Sequence, residues 1–285
     1  MNQYILQQYK ETLKRLALGV EVIDDMRRMD PVRPVRIDIE RRLPHTMQEP
    51  KDPLRVAQPM GRAPSAMCCH SSGRYALTYY PGLKDHLILR LYDHDRYYIP
   101  RRLQVPLLTE AQVQTPALAH INLRVRRPVL FPGAAYNVSC TATGLRGTVS
   151  RGGQPMRWAI VEATLPDTDV LVGRTRSDDR GEFLLLLGPE AAPDSDIPRY
   201  IEARVSVAGP FEFPVPSNPD LPGQDNLWDL PLEVLPDPGL PDPVSGGVAY
   251  PAGYAVDLVS IRMVRFEVGT LLTGLSVAPF EFSLS

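Results

Sequence analysis

Thirty prolines are spread through a chain of 285 residues, and they constrain the fold more than any other feature of the sequence. Because proline lacks a backbone N–H and breaks a helix interior, long helices are excluded over most of the chain. The length suits two domains of about 100–150 residues each. Hydrophobic residues make up 44% and charged residues 22%, which excludes wholesale disorder. We therefore expect an all-β protein of strands, turns and connectors.

Apolar and polar residues alternate in both halves of the chain, as they do in strands with one buried face. Val35, Ile37 and Ile39 show this alternation in the first half. The two halves also repeat one order of elements, in which SSGRYALTYYPG (71–82) corresponds to DDRGEFLLLLGP (178–189). This repetition predicts two tandem prealbumin-like or Ig-like β-sandwiches. We place the first over residues 19–127 and the second over residues 128–216.

The N-terminal residues 1–18 show a different spacing. Ile5, Tyr9 and Leu13 recur at the helical period. The pattern predicts a short amphipathic helix or arm, which is marginal alone and needs a surface of its own domain or of a partner.

The last part of the chain, residues 217–285, is predicted to be an extension. Ten prolines between residues 210 and 243 favour a stiff, extended connector, serving as a spacer or as a ligand for aromatic grooves. Alternating apolar residues around Tyr254 and Phe266 then predict a C-terminal hairpin. That hairpin either returns to the sandwich or adds to the sheet edge of a neighbour.

Charge is distributed unequally along the chain. Residues 1–143 carry 21 Lys and Arg against 13 Asp and Glu, whereas residues 144–285 carry 10 against 20. Such an asymmetry fits a polyanion that binds the basic half, or copies and neighbours that dock basic face to acidic face. Acids are interleaved with the first arginines, as at Asp24, Asp38 and Glu40, and they would repel phosphate. We therefore favour ion pairing, within the chain or across an interface, and expect no nucleic acid partner.

The residues that could carry chemistry fit turns and loops better. Cys68-Cys69-His70 lacks the two separated ligand pairs of a zinc site, and Asp93-His94-Asp95 joins two apolar runs as a turn does. Asp178 and Asp179 could be the paired acids of a glycosidase, but as neighbours in sequence they would point to opposite faces of a strand, and a turn is the simpler interpretation. Signatures of nucleophilic serines and of nucleotide-binding loops are missing. We predict a protein that is not an enzyme and needs no metal or cofactor.

The segment Leu145–Gly188 resembles the carboxypeptidase regulatory-like domains, which are prealbumin-like sandwiches. Its matching residues are Gly147, Val149, Gly153, Pro155, Ala159, Val161, Thr175, Asp179, Gly181 and Phe183. Compared with the tightest versions of the family pattern, this sequence has one extra residue between Thr175 and Gly181. Asp179 is expected to bind turn amides, Gly181 to take a positive φ, and Phe183 to begin a buried face. The resemblance implies a non-catalytic accessory module.

The overall layout is similar to an accessory structural component of a phage tail or of a phage-tail-like contractile injection particle. We therefore expect a structural or adaptor subunit that docks on other protein subunits, including further copies of itself. Cytoplasmic location, or assembly there into a particle, is expected because no secretion signal or apolar run of 18 residues occurs. The candidate interface residues are Ile5, Tyr9, Leu13, Arg101, Arg102, Trp228, Tyr254 and Phe266.

Two other functions stay open from the sequence. One is a carbohydrate- or peptide-binding module that uses exposed Tyr79, Tyr80, Tyr97 and Tyr98. The other is an accessory domain of a hydrolase whose catalytic chain is separate.

Overall fold

The computed structural model describes residues 15–27, 29, 31, 33–40, 67–191, 199–210, 214–215, 225–237, 256–273 and 281–284, with the backbone alone for 256–259, 273 and 281–284. Four candidate interface residues, Ile5, Tyr9, Leu13 and Tyr254, lie outside these ranges.

The described part of the chain is all-β, as predicted. Its only helices are four 3₁₀ turns of three or four residues. No helix in the described part is long and apolar enough to cross a membrane. The strands are β1 Leu16–Val20, β2 Ile23–Asp24, β3 Arg36–Glu40, β4 Cys68–Cys69, β5 Tyr75–Thr78, β6 His86–Tyr92, β7 Arg101–Pro106, β8 Val125–Arg126, β9 Val129–Leu130, β10 Gly144–Arg151, β11 Gln154–Pro155, β12 Ile160–Thr164, β13 Leu171–Arg176, β14 Glu182–Leu186, β15 Tyr200–Pro210, β16 Leu232–Val234, β17 Val256–Glu267, β18 Leu271–Thr273 and β19 Glu281–Leu284.

Strands of the first half, together with β16 from the second half, form two four-stranded sheets and a small two-stranded one. The strand orders are β4-β5-β1-β8 and β16-β7-β6-β3, with β2 paired to β9. Their apolar side chains share one hydrophobic cluster, the first core, which includes Leu18, Leu77, Leu89 and Leu103. Period-two alternation along β7, where Arg101, Leu103 and Val105 are buried, supplies one wall of this core.

The second half forms two further sheets around a separate cluster, the second core. In one sheet β10 is central, with β14 and β11 on one side and β18 and β19 on the other. The other sheet has the order β13-β12-β15-β17. The second core includes Val149, Val161, Phe183, Val205 and Phe266.

Strand β14 is buried on both faces. Phe183 and Leu185 lie in the second core, whereas Leu184 and Leu186 lie in the first. A strand with two buried faces has no reason to alternate, which explains the continuous run of leucines after Phe183. The two cores are therefore packed against opposite sides of one strand.

The apolar runs predicted to form a C-terminal hairpin lie instead in one continuous strand, β17, from Val256 to Glu267. This strand returns to the chain's own sheet, which was one of the two alternatives left open by the sequence. It pairs antiparallel with β15 from Tyr200–Glu267 to Pro210–Val256, with one irregularity after Val207. Two positions differ from the sequence-based boundaries. β1 begins at Leu16, inside the region assigned to the arm, and Tyr136 packs in the first core although it follows residue 127.

Candidate functional site: an acidic strap in an arginine-lined groove

Residues 225–237, which we call the acidic strap, lie against the first half of the chain. β16 in the strap pairs parallel with β7, with Leu232 opposite Arg102 and Val234 opposite Gln104. This makes β16 an edge strand of its sheet. Pro231 and Pro236 flank β16, and proline is tolerated at such positions because an edge strand leaves some N–H groups outside the ladder.

Glu233 of the strap is fully buried between two arginines from different halves. Its carboxylate accepts hydrogen bonds from Arg101, with Nη2 at 2.7 Å and Nε at 3.2 Å, and from Arg176 Nη1 at 2.6 Å. Burial by itself raises the pKa of Glu233, but the charges and hydrogen bonds of Arg101 and Arg176 outweigh it and lower the pKa to about 2. Glu233 is therefore an anion that joins the two halves.

The two guanidinium groups around Glu233 have further partners. Both lie over the ring of Phe131, at 5.7 Å for Arg101 and 5.9 Å for Arg176. Arg101 also donates to the carbonyl of Val129. A buried ion pair of this kind contributes little net stability but is very sensitive to the loss of one partner, because the remaining charge is left in a low-dielectric interior.

Asp229, four residues earlier in the strap, contacts the second half. Its Oδ1 accepts from the indole of Trp158 at 2.9 Å and lies 2.7 Å from Arg157 Nη2. Burial raises the pKa of Asp229, and the contacts with Trp158 and Arg157 offset this only in part. Trp158 has a φ of 61°, which is unusual for a bulky residue, and it packs against Leu227 and Leu230 of the strap. The strap thus covers a strained turn.

The strap has a third acid at the same spacing. Asp225 Oδ2 lies 2.5 Å from Arg90 Nη1 on β6. At the other end of the strap, the carbonyl of Pro236 accepts from Arg126 at 2.6 Å. Acids at positions 225, 229 and 233 therefore face arginines along the whole length of the segment. Sequence analysis missed this site, although the spacing Asp-x₃-Asp-x₃-Glu among prolines was a signal for it.

A second contact between the halves is made by Arg96, which forms a bidentate pair with Asp179 at 2.5 and 2.9 Å. The prediction that Asp179 binds the turn amides is wrong, because Asp178 does so. Its Oδ1 accepts from the backbone N–H of Arg180 at 2.8 Å and of Glu182 at 3.0 Å. The extra residue in the turn moves this role back by one position.

The other two expectations for this turn are confirmed. Gly181 has a φ of 76°, and a Cβ there would lie 2.5 Å from the carbonyl oxygen of Val149. Phe183 is fully buried in the second core. The local sequence therefore determines this turn, although the residue that binds its amides is one position earlier than expected.

The tyrosines proposed as an exposed binding surface are placed differently. Tyr97 and Tyr98 are 6% and 1% exposed and belong to the first core. Tyr98 donates to Asp24 at 2.8 Å, and Tyr136 donates to the same buried carboxylate at 2.9 Å. Burial and the bond to Asp24 raise the pKa of Tyr136 to about 12. Tyr79 is half-buried and donates to the carbonyl of Leu108, and Tyr80 is also half-buried.

Two of the candidate interface residues lie inside the chain, which corrects that assignment. Arg101 is buried at the strap, and Phe266 is fully buried in the second core because β17 adds to the chain's own sheet. Arg102 forms two hydrogen bonds of 2.6 Å with Glu40. Trp228 lies in the strap and is half-buried. The structure thus brings Arg101, Arg102 and Trp228 into one region, around the strap.

The cysteine and histidine motifs lie apart from the strap. Cys68 and Cys69 are exposed on the edge strand β4, and His70 contacts Ser72. Asp93 accepts from the backbone of Tyr97 and Tyr98, as the turn interpretation predicts. Within the described residues, no three His, Cys, Asp or Glu side chains are grouped so as to hold a metal ion.

Comparisons of this chain with protein-family models, with curated proteins and with solved structures gave no match.

Proposed function

We propose that this chain is a non-catalytic structural or adaptor subunit of a large protein assembly, of the kind found in phage tails and contractile injection particles. The observation that carries the proposal is the acidic strap, whose buried Glu233 is bound by Arg101 from the first half and Arg176 from the second. Three acids of this one segment, Asp225, Asp229 and Glu233, form ion pairs with arginines of both halves and so join the halves to each other.

In this proposal the chain contains two tandem sandwiches. Support comes from the two hydrophobic cores, because residues 18–142 form most of the first and residues 145–272 form the second. The repeated order of elements in the sequence supports it as well. The shared strand β14 and the strap would then fix the second sandwich on the first. A fixed orientation is useful to a subunit that presents its termini and charged faces to neighbouring proteins in the cytoplasm or in a particle assembled there.

Part of the charge asymmetry supports docking by ion pairs. Arginines of the basic half, such as Arg90, Arg96 and Arg101, bind acids of the acidic half within this chain. The same complementarity can act between subunits, and for that reason we propose protein partners rather than a nucleic acid.

Sedimentation of a lysate from the native source tests the proposal. The chain should travel in a particle much heavier than its own 31.7 kDa, at a constant ratio to the other proteins of that particle. A chain that sediments alone at 31.7 kDa and gives specific hits on a glycan array would instead support the binding-module alternative.

A further inference from the structure

The acidic strap lies within the segment of the sequence that connects β15 to β17. β15 ends at Pro210 and β17 begins at Val256, and these two residues are themselves paired. The 45 residues between them, 211–255, are therefore tied together at their base. Because the residues on either side of this segment are paired, the segment can bind a neighbouring molecule while β15 and β17 stay paired with each other.

The segment 211–255 is long enough to reach such a neighbour. Fourteen residues precede the strap and 18 follow it. An extended chain of 14 residues spans up to about 46–50 Å, whereas a compact chain of this length has a radius of gyration of about 19 Å. Length therefore does not restrict the strap to the groove of its own chain.

The groove that holds the strap is selective for its occupant. An occupant must supply acids at every fourth position, to meet Arg90, Arg157 and the Arg101–Arg176 pair. It must also supply leucines between them, since Leu227 and Leu230 pack on Trp158. Arg101 and Arg176 are 3% and 4% exposed, so an empty groove leaves two cations without the buried carboxylate that compensates them. The strap of a second copy meets every one of these requirements.

We propose that two copies of this chain exchange their acidic straps, so that each strap lies along β7 of the other copy. Each chain has one strap and one groove, so the exchange closes as a symmetric dimer with every ionic contact kept. The inference names a partner for the proposed subunit and can fail separately from it, because a subunit that binds other proteins elsewhere would show no exchange.

Mixing two single-cysteine chains tests the exchange. In a background with Cys68→Ser, Cys69→Ser and Cys140→Ser, one chain carries Gln104→Cys and a differently tagged chain carries Val234→Cys. These positions are direct partners in the β7–β16 ladder, and Val234 is 40% exposed. After joint unfolding, refolding and mild oxidation, exchange predicts a covalent heterodimer. Its yield should be at least tenfold above that of Val234→Cys mixed with Ile121→Cys, an exposed position on a 3₁₀ turn that does not pair with β16.

A heterodimer yield equal to this control overturns the proposal, provided that a chain with both Gln104→Cys and Val234→Cys closes into an oxidised monomer. Light scattering of the unmodified chain gives a second decision that needs no substitution. Exchange predicts a dimer of twice 31.7 kDa that an excess of synthetic peptide 225–237 converts into monomers. A monomer at every concentration, or a dimer unaffected by the peptide, rules the exchange out.

Discussion

Replacing Glu233 by glutamine is the sharpest test of the ionic site. The variant keeps the shape of the side chain and removes the charge that Arg101 and Arg176 share. The pKa of Glu233 is lowered from 4.5 to about 2 in the folded chain. A difference of about 2.5 units means that, at pH 7, the ionised form of Glu233 stabilises the fold by about 3 kcal/mol more than its protonated form would. We therefore expect Glu233→Gln to lower the free energy of unfolding by about 3–5 kcal/mol at pH 7.

The pH dependence follows from the sign of the shift. A carboxyl group with a lowered folded-state pKa stabilises the fold fully above its unfolded value of 4.5, and this contribution falls as the pH drops toward 2. At pH 3 about 1 kcal/mol of it remains. The difference between the wild type and Glu233→Gln should therefore narrow by about 2 kcal/mol between pH 7 and pH 3.

Urea unfolding followed by tryptophan fluorescence at both pH values measures these differences. Glu202→Gln is the matched control, because Glu202 is exposed on β15 and its substitution should change stability by less than about 0.5 kcal/mol. The reasoning is refuted if Glu233→Gln is as stable as this control at pH 7, or if its deficit is the same at pH 3.

Three further predictions concern the turn and the tyrosine site. Asp178→Ala should cost about 1–3 kcal/mol because it leaves backbone amides without an acceptor, whereas Asp179→Ala, which breaks a pair with a partly exposed arginine, should cost less than about 1 kcal/mol in urea unfolding. Gly181→Ala should destabilise the chain more than Gly152→Ala in thermal unfolding, since both have positive φ but only Gly181 would place a Cβ against backbone; equal losses would contradict the steric argument. Tyr136→Phe should lower the free energy of unfolding by about 1–3 kcal/mol, because it removes a hydrogen-bond donor from the buried carboxylate of Asp24. In a spectrophotometric titration it should also remove one phenol that ionises near pH 12. A titration curve that is unchanged near pH 12 would show that Tyr136 ionises at a different pH.

The sequence by itself determined the class of the fold and its local turns. Proline content excluded long helices, and period two located strands such as β3 and β5. The turn glycine Gly181 and the buried Phe183 were also predictable, because a turn signal followed directly by an apolar run is visible within a few residues. These features are local, so the chain encodes them within a few residues.

Only the tertiary structure decided which residues meet across the chain. Nothing local distinguishes Glu233 from other acids among prolines, and its role arises because Arg101 and Arg176, separated from it by 132 and 57 positions, converge on it. The sequence also left undecided which sheet β17 joins, because its apolar face fits the chain's own sheet or a neighbour's. In the structure β17 pairs with β15, and this buries Phe266. Burial and ion pairing at long range depend on how the sheets pack, and no short segment contains that information.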